Sequence, residues 1–271
     1  MTLLKKFIKE LYSICCYSDF KTSIKYFICI ILNLPQILKD KKLIAADKEM
    51  HNTMCKFKVY SNKILLFKGE YFGGLREICC RKVYFKSPDF DIQENDTVVD
   101  LGANVGVFTT VAALCGKRVI SVEAQSNFLP IIESNLKMNT CLEKASIIFG
   151  IIGPGSGLLS KESNQQSASH WDKTPPIISM ENIIKENKIK EIDFLKIDIE
   201  GSEFDLFSKN TEWLSIVKKI VLEVHLEFGD LNDLLTILKN AGFDFVLVDN
   251  DQNIVSNFKS SGGYIFARKS S

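Results

Sequence analysis

Asp100, Gly102, Asn104 and Gly106 stand two residues apart in the run Thr97-Val98-Val99-Asp100-Leu101-Gly102-Ala103-Asn104-Val105-Gly106-Val107-Phe108-Thr109, and together they carry the first legible chemistry. An apolar strand there runs into a glycine-marked turn and then into a helix. The glycines remove Cβ where the backbone turns sharply and a ligand could approach, and the first helical turn offers unpaired N–H groups. Glu123 ends a second apolar run, Val119-Ile120-Ser121-Val122-Glu123, at about the 20-residue distance expected for an acidic partner of a ribose. A dinucleotide loop needs a glycine in its middle place to admit a pyrophosphate, and Asn104 stands there instead. The loop therefore suits a nucleoside without a pyrophosphate, such as S-adenosylmethionine. In that reading Asp100, directly or through water, and loop backbone hold the amino-acid end, and Glu123 accepts both ribose hydroxyls. The competing reading gives the glycines a packing role only.

A second constellation lies in Ile192-Asp193-Phe194-Leu195-Lys196-Ile197-Asp198-Ile199-Glu200-Gly201-Ser202-Glu203, which crowds Lys196, Asp198, Glu200 and Glu203 at the carboxyl end of another strand. Open α/β sheets bind their ligands along that edge. The neighbouring run Lys218-Lys219-Ile220-Val221-Leu222-Glu223-Val224-His225 brings two more titratable groups. Moving a methyl group to a hydroxyl requires in-line placement of the reactants and a destination for the hydroxyl proton. Asp198, Glu200, Glu223 and His225 are the candidates, and Asp198 is also expected near the cofactor. Strand alternation puts Glu223 and His225 on one side, so His225 is the expected base, oriented by Glu223. A purely structural histidine competes with that role. Lys196 reads better as the neutraliser of the carboxylates than as a ligand contact. Asp198, Glu200 and Glu223 are chemically suited to a divalent cation, but spacing does not show that they converge, and no metal is expected.

The segments VVDLGANVGVFT, VEAQ, FLKIDIEGSEFDLF and VLEVH resemble the FkbM family of S-adenosylmethionine-dependent methyltransferases, over about residues 70 to 268. The K-I-D-x-E-G-x-E element is the specific part, since class I methyltransferases in general share the glycine loop. The resemblance implies a Rossmann-like class I fold, S-adenosylmethionine as cofactor, and a hydroxyl acceptor on a sugar, glycolipid or other small metabolite. One departure is visible: where family members often read T-L-D-D-L, this chain has Ile178-Ser179-Met180-Glu181-Asn182-Ile183. A nicotinamide-dependent oxidoreductase shares the strand, turn and acid, and a non-catalytic nucleoside-binding module would keep the fold. Asn104 and the carboxylate-rich second element count against the oxidoreductase.

Positioning these residues requires alternating elements. Strands are expected near 97–101, 118–122, 146–150, 193–197, 219–224, 243–248 and 263–267, with helices near 105–115, 126–139, 180–187, 203–208 and 230–240. That order predicts a mostly parallel seven-stranded sheet covered by helices on both faces, closed by an antiparallel last strand. Residues 1–55 read as an N-terminal helical extension and 56–271 as the methyltransferase domain. Runs around Ser61-Asn62-Lys63 suggest a β-hairpin over the active-site mouth, and residues 74–86 a helix. Residues 153–176 are polar and glycine-punctuated, suiting either a lid in which His170 or Trp171 touches substrate or a plain insertion.

Composition narrows the partners. The 271 residues include 34 basic and 33 acidic ones, a net charge of +1, so nucleic acid is not an expected partner. Eight cysteines in adjacent or isolated positions, with three histidines, show no metal or disulfide spacing and point to reduced thiols in a cytosolic setting. The apolar stretch in Lys25–Pro35 is too short to span a bilayer. Packing on the catalytic domain or a second subunit is the favoured reading for residues 1–35, with membrane-surface contact next and secretion last. Oligomeric state is not legible.

Overall fold

The computed structural model describes residues 3–153, 173–259 and 262–270. Its centre is an eight-stranded sheet whose innermost strands, β3 (Thr97–Leu101), β4 (Arg118–Glu123) and β8 (Phe194–Ile197), are nearly continuous apolar runs because both faces are covered. To one side of β3 lie β4 and then β5 (Ala145–Phe149). To the other lie β8, β9 (Lys219–Val224), β12 (Gly263–Lys269), β10 (Phe243–Asp249) and the two-residue β11 (Ile254–Val255). Across β5, β4, β3, β8 and β9 neighbouring strands run parallel, while β12 is antiparallel to both β9 and β10; β6 (Ile151–Ile152) and β7 (Ile177–Ile178) form a separate parallel pair. The seven expected strands are all present. β11 is the addition, paired to the outer edge of β10. Because the strand order reverses between β3 and β8, their carboxyl ends frame the crevice where such sheets bind ligands.

Alternation sorts the strand side chains between two cores. Val98, Phe194 and Val221 face a layer containing α6 (Val107–Cys115), and Phe108 of that helix stacks on Phe85 with ring centres 5.6 Å apart. Val99, Leu195 and Leu222 face the opposite layer, built by α8 (Met180–Glu186), α9 (Glu203–Ser208) and α10 (Leu231–Asn240). Helix α7 (Leu129–Met138) seats Ile132 against Gly106.

Residues before the sheet form α1 (Leu3–Tyr17), α2 (Phe20–Leu32), α3 (Leu34–Asp40) and α4 (Ile44–Lys48), followed by the hairpin of β1 (Met54–Lys58) and β2 (Ile64–Lys68). Their buried side chains, among them Ile14, Tyr26, Ile37 and Phe57, join the α6 layer in one apolar cluster. A buried polar knot ties this region together. Arg76 pairs with Glu10 and with Asp47, the latter at 3.0 Å, and the Tyr26 hydroxyl donates to Asp47 at 2.7 Å.

Two expectations need correction. The hairpin does not cover the site: Asn139, just past α7, bonds both backbone groups of Leu66, and Lys63 Nζ donates to the Leu114 carbonyl. Helix α6 begins at the glycine loop, so Leu114 marks its far end, and burial of Phe57, Leu65 and Phe67 holds the hairpin there. The helix expected over 74–86 begins as α5 (Phe72–Leu75), continues as a π-helical turn over Arg76–Arg81, and stops at Lys82, whose φ of 54° is left-handed. Tyr84 and Phe85 are thereby turned inward. The expected lid residues His170 and Trp171 lie outside the described residues.

Candidate active site

The glycine loop is shaped by protein packing on its inner side. Gly102 has φ +82°, and a Cβ placed there would lie 1.8 Å from the carbonyl oxygen of Asp198. The close approach expected of a ligand is made at this position by the backbone leaving β8. Asn104 takes a left-handed φ of 51°, which Asn tolerates, and its side-chain oxygen accepts from the Val105 N–H at 2.7 Å. Gly106, also at φ +82°, opens α6.

Glu123 stands at the carboxyl end of β4, 6% exposed. One oxygen accepts from the Asn104 N–H at 2.6 Å and the other from the Gln125 N–H at 2.7 Å. Burial pushes its pKa up to about 7, against the pull of those two donors. Each oxygen keeps a second lone pair, the acceptor capacity a vicinal diol requires.

Asp100 meets protein partners through both of its oxygens. It is fully buried at the end of β3, in register with Lys196 of β8. One oxygen accepts from the Thr109 hydroxyl at 2.6 Å, and the other lies 3.1 Å from Lys196 Nζ, an ion pair outside hydrogen-bond geometry. Lys196 Nζ also donates to the Gly102 carbonyl at 2.6 Å and sits 3.6 Å from Asp198. Burial opposes its charge, but Asp100 and then Asp198 outweigh burial and raise its pKa. Lys196 is thus placed as the expected neutraliser, and Asp100 anchors Thr109 of α6 and Lys196 beneath the loop.

At the mouth, Asp198 and Glu223 share a partner that the sequence did not reveal. The Tyr84 hydroxyl donates to Asp198 Oδ2 at 2.8 Å and lies 3.4 Å from Glu223 Oε2. Burial, followed by the Asp198 charge, pushes Glu223 up to about 8. The apolar spacing of 74–86 imitates a helix and gives Tyr84 no distinguishing signal in the sequence.

His225 is oriented by Glu203, in place of the expected Glu223. Regular β structure ends at Val224, so the alternation that pairs 223 with 225 stops one residue short. Glu203, fully buried at the start of α9, accepts the His225 N–H at 2.7 Å and approaches Nδ1 at 3.0 Å through one oxygen. Its other oxygen accepts the Gly201 N–H at 2.8 Å. Nε2 then faces Glu200, 3.6 Å away, which is exposed and held at φ +53°. Burial would lower the imidazole pKa, but the Glu203 bond and charge override it, with Glu200 and Glu223 adding to the rise, to about 9. Asp198, Glu200 and His225 each offer a ligand atom within 4.8 Å of the others. The set that converges therefore contains His225 in place of Glu223.

The donor set fits S-adenosylmethionine. Asp198, Glu200 and Glu223 cluster at the carboxyl edge of the sheet, a set suited to a ligand carrying an ammonium and a sulfonium, and Glu123 has the acceptor capacity that a diol would need. With this strand order and loop, the fold is that of a class I methyltransferase. The model of the Methyltransferase FkbM domain matches residues 100–245, and the chain belongs to that family; S-adenosylmethionine is its cofactor. Methyltransferase 1 of Beauveria bassiana (strain ARSEF 2860) is 23% identical over 218 residues, 69% of this chain and 86% of that protein. Among solved structures, Methyltransferase FkbM from Methylobacillus flagellatus KT matches with a TM-score of 0.49 and 17% identity, over 69% of this chain and 47% of that one. A Streptococcus mutans protein solved with SAH matches at TM-score 0.42 and 9% identity, over 67% of this chain and 92% of that one.

Proposed function

We propose that this methyltransferase is an O-methyltransferase, with a hydroxyl of a sugar, glycolipid or other small metabolite as acceptor, working on the cytosolic side. The observation that carries this reading is the His225–Glu203 pair at the mouth of the crevice, since an oxygen nucleophile that starts as a neutral hydroxyl must give up a proton. Glu123, the Gly102–Gly106 loop and Asp198 would hold the cofactor. When bound, S-adenosylmethionine supplies a methyl group on a sulfonium, a strong electrophile whose leaving group is a neutral thioether. His225, when neutral at Nε2, would take the proton of the acceptor hydroxyl. Glu203 carries the matching negative charge in a buried position, so the imidazolium forms beside a fixed counter-charge without reorganisation. Asp198, steadied by Tyr84 and Lys196, keeps a carboxylate near that event.

The charge balance of the chain supports a small acceptor over nucleic acid, and its eight free cysteines suit a reducing compartment. Among the described residues no helix is long and apolar enough to cross a membrane. The test is product analysis with methyl-labelled cofactor and a panel of glycans, glycolipids and hydroxylated metabolites. The expected result is label in an ether, with turnover reduced roughly 10²- to 10⁴-fold in His225→Ala at unchanged cofactor affinity. Label found on nitrogen, carbon or a carboxyl ester would overturn the oxygen assignment, and near-normal turnover in His225→Ala would remove the histidine.

A further inference from the structure

Helix α2 is amphipathic with its faces reversed. Its buried side carries Thr22, Ser23, Tyr26 and Cys29, whereas Phe20, Ile24, Ile28, Ile31 and Leu32 point to solvent. Those five are 43–78% exposed and recur every three or four residues, a continuous apolar stripe about 20 Å long. Scattered exposed leucines need no explanation, but a stripe that is more apolar than the helix's own core face needs a partner. Four of the five, Phe20, Ile24, Ile28 and Leu32, line an open groove together with Lys21 and Lys25, and Glu49 is the only acid among the described residues that line it. The charge here departs from that of the whole chain: residues 20–44 hold five lysines against Asp40 alone, while the full sequence is balanced at 34 to 33.

We infer that α2 lies flat on an anionic membrane surface, with its apolar stripe in the headgroup boundary and its lysines against acidic lipids. Both halves of the pattern, a bulky apolar face and a basic rim on a helix too short to span, belong to interfacial binding. Self-association explains it less well. A two-fold dimer through the same stripe would gather Lys21 and Lys25 of both copies into one interface, a concentration of like charge that it disfavours. The N-terminal helices are fastened to the catalytic layers through the Arg76–Asp47 pair, so α2 docks the whole enzyme, not a tethered arm. This inference does not depend on the acceptor or on the base.

Flotation of the full chain with phosphatidylcholine vesicles, with and without phosphatidylglycerol, tests it. Binding is expected to the anionic vesicles only and to weaken with salt. Ile24→Ser with Ile28→Ser should abolish it, and Lys21→Gln with Lys25→Gln should reduce it by about fivefold per lysine. All four side chains lie outside the buried core, so circular dichroism and cofactor binding should match the parent for both variants. Failure of the parent chain to bind anionic vesicles overturns the inference, as does binding that both variants retain. A dimer by light scattering that Ile24→Ser with Ile28→Ser dissolves would assign the stripe to a second copy instead.

Discussion

At the scale of single residues, the proposed base, His225, is held close to its own counter-charge, and that proposal fixes how activity should vary with pH. With a pKa of about 9 in the free enzyme, the imidazole is neutral in only about one molecule in a hundred at pH 7. The expected profile of kcat/KM for the acceptor therefore rises with unit slope through neutrality and levels near pH 9, measured with the acceptor well below its KM. Glu203→Gln removes the charge chiefly responsible, so the acidic limb should move toward lower pH by about one unit or more. A profile flat from pH 6 to 9 in the parent enzyme would contradict proton transfer to His225. Glu123 has a separate test. Its carboxylate would accept two ribose hydroxyls, each charge-assisted bond contributing about 1.5–3 kcal/mol, and it already anchors the Asn104 N–H. Glu123→Ala should lose at least about tenfold in S-adenosylmethionine affinity by calorimetry while remaining folded. Both Glu123 and His225 could be singled out from the sequence, because a carboxylate or imidazole at the end of a buried apolar run has few structural reasons to be there. Glu203 stood in the same motif, but its partnership with His225 arises only when the first turn of α9 meets the end of β9, a contact between residues 22 apart.

At the scale of elements, glycine geometry separates packing demands from backbone demands. Gly102 and Gly242 have nearly the same φ, +82° and +79°, but a Cβ at Gly102 strikes the Asp198 carbonyl and one at Gly242 meets nothing within 4 Å. Gly242→Ala should cost only the left-handed penalty, about 1–2 kcal/mol, with cofactor binding intact. Gly102→Ala adds displacement of the backbone linking β3 to β8, and should abolish binding and lower the Tm further. Equal stability and binding in the two variants, by thermal unfolding and calorimetry, would show that the β3–β8 contact does not shape the cofactor loop. The central strands were readable because burial on both faces makes them unbroken apolar runs. The two residues of β11 carry no pattern of their own and pair only because β10 offers an open edge. The π-helical turn over Arg76–Arg81 was equally hidden: its apolar spacing imitates an α-helix, and only the left-handed stop at Lys82 turns Tyr84 toward Asp198.

At the scale of the whole molecule, three raised pKa values bear on stability in one direction. Glu123 at about 7, Glu223 at about 8 and His225 at about 9 all bind protons more tightly in the folded chain than their ordinary values of 4.5 and 6.5 imply. A group raised in this way contributes stability that is fully present below its unfolded pKa and is lost as pH climbs through its folded pKa. The two glutamates lose their contribution between about pH 4.5 and 8, and His225 loses its own between about 6.5 and 9. The cofactor-free enzyme should accordingly show a Tm that declines from pH 6 to pH 9, followed by differential scanning fluorimetry. Glu223→Gln removes one of the glutamate contributions and should make the decline up to pH 8 shallower, leaving the Glu123 and His225 contributions in place. A ligand that binds only the folded chain at a hundred times its Kd adds about 2.7 kcal/mol, so S-adenosylmethionine should lift the entire curve. The lift should grow where its positive charge meets ionised Glu223 and neutral His225, toward the alkaline end. A Tm that rises with pH in the free enzyme, or a cofactor-induced shift largest at pH 6, would show that the carboxylates at the mouth are already compensated and do not await a cation.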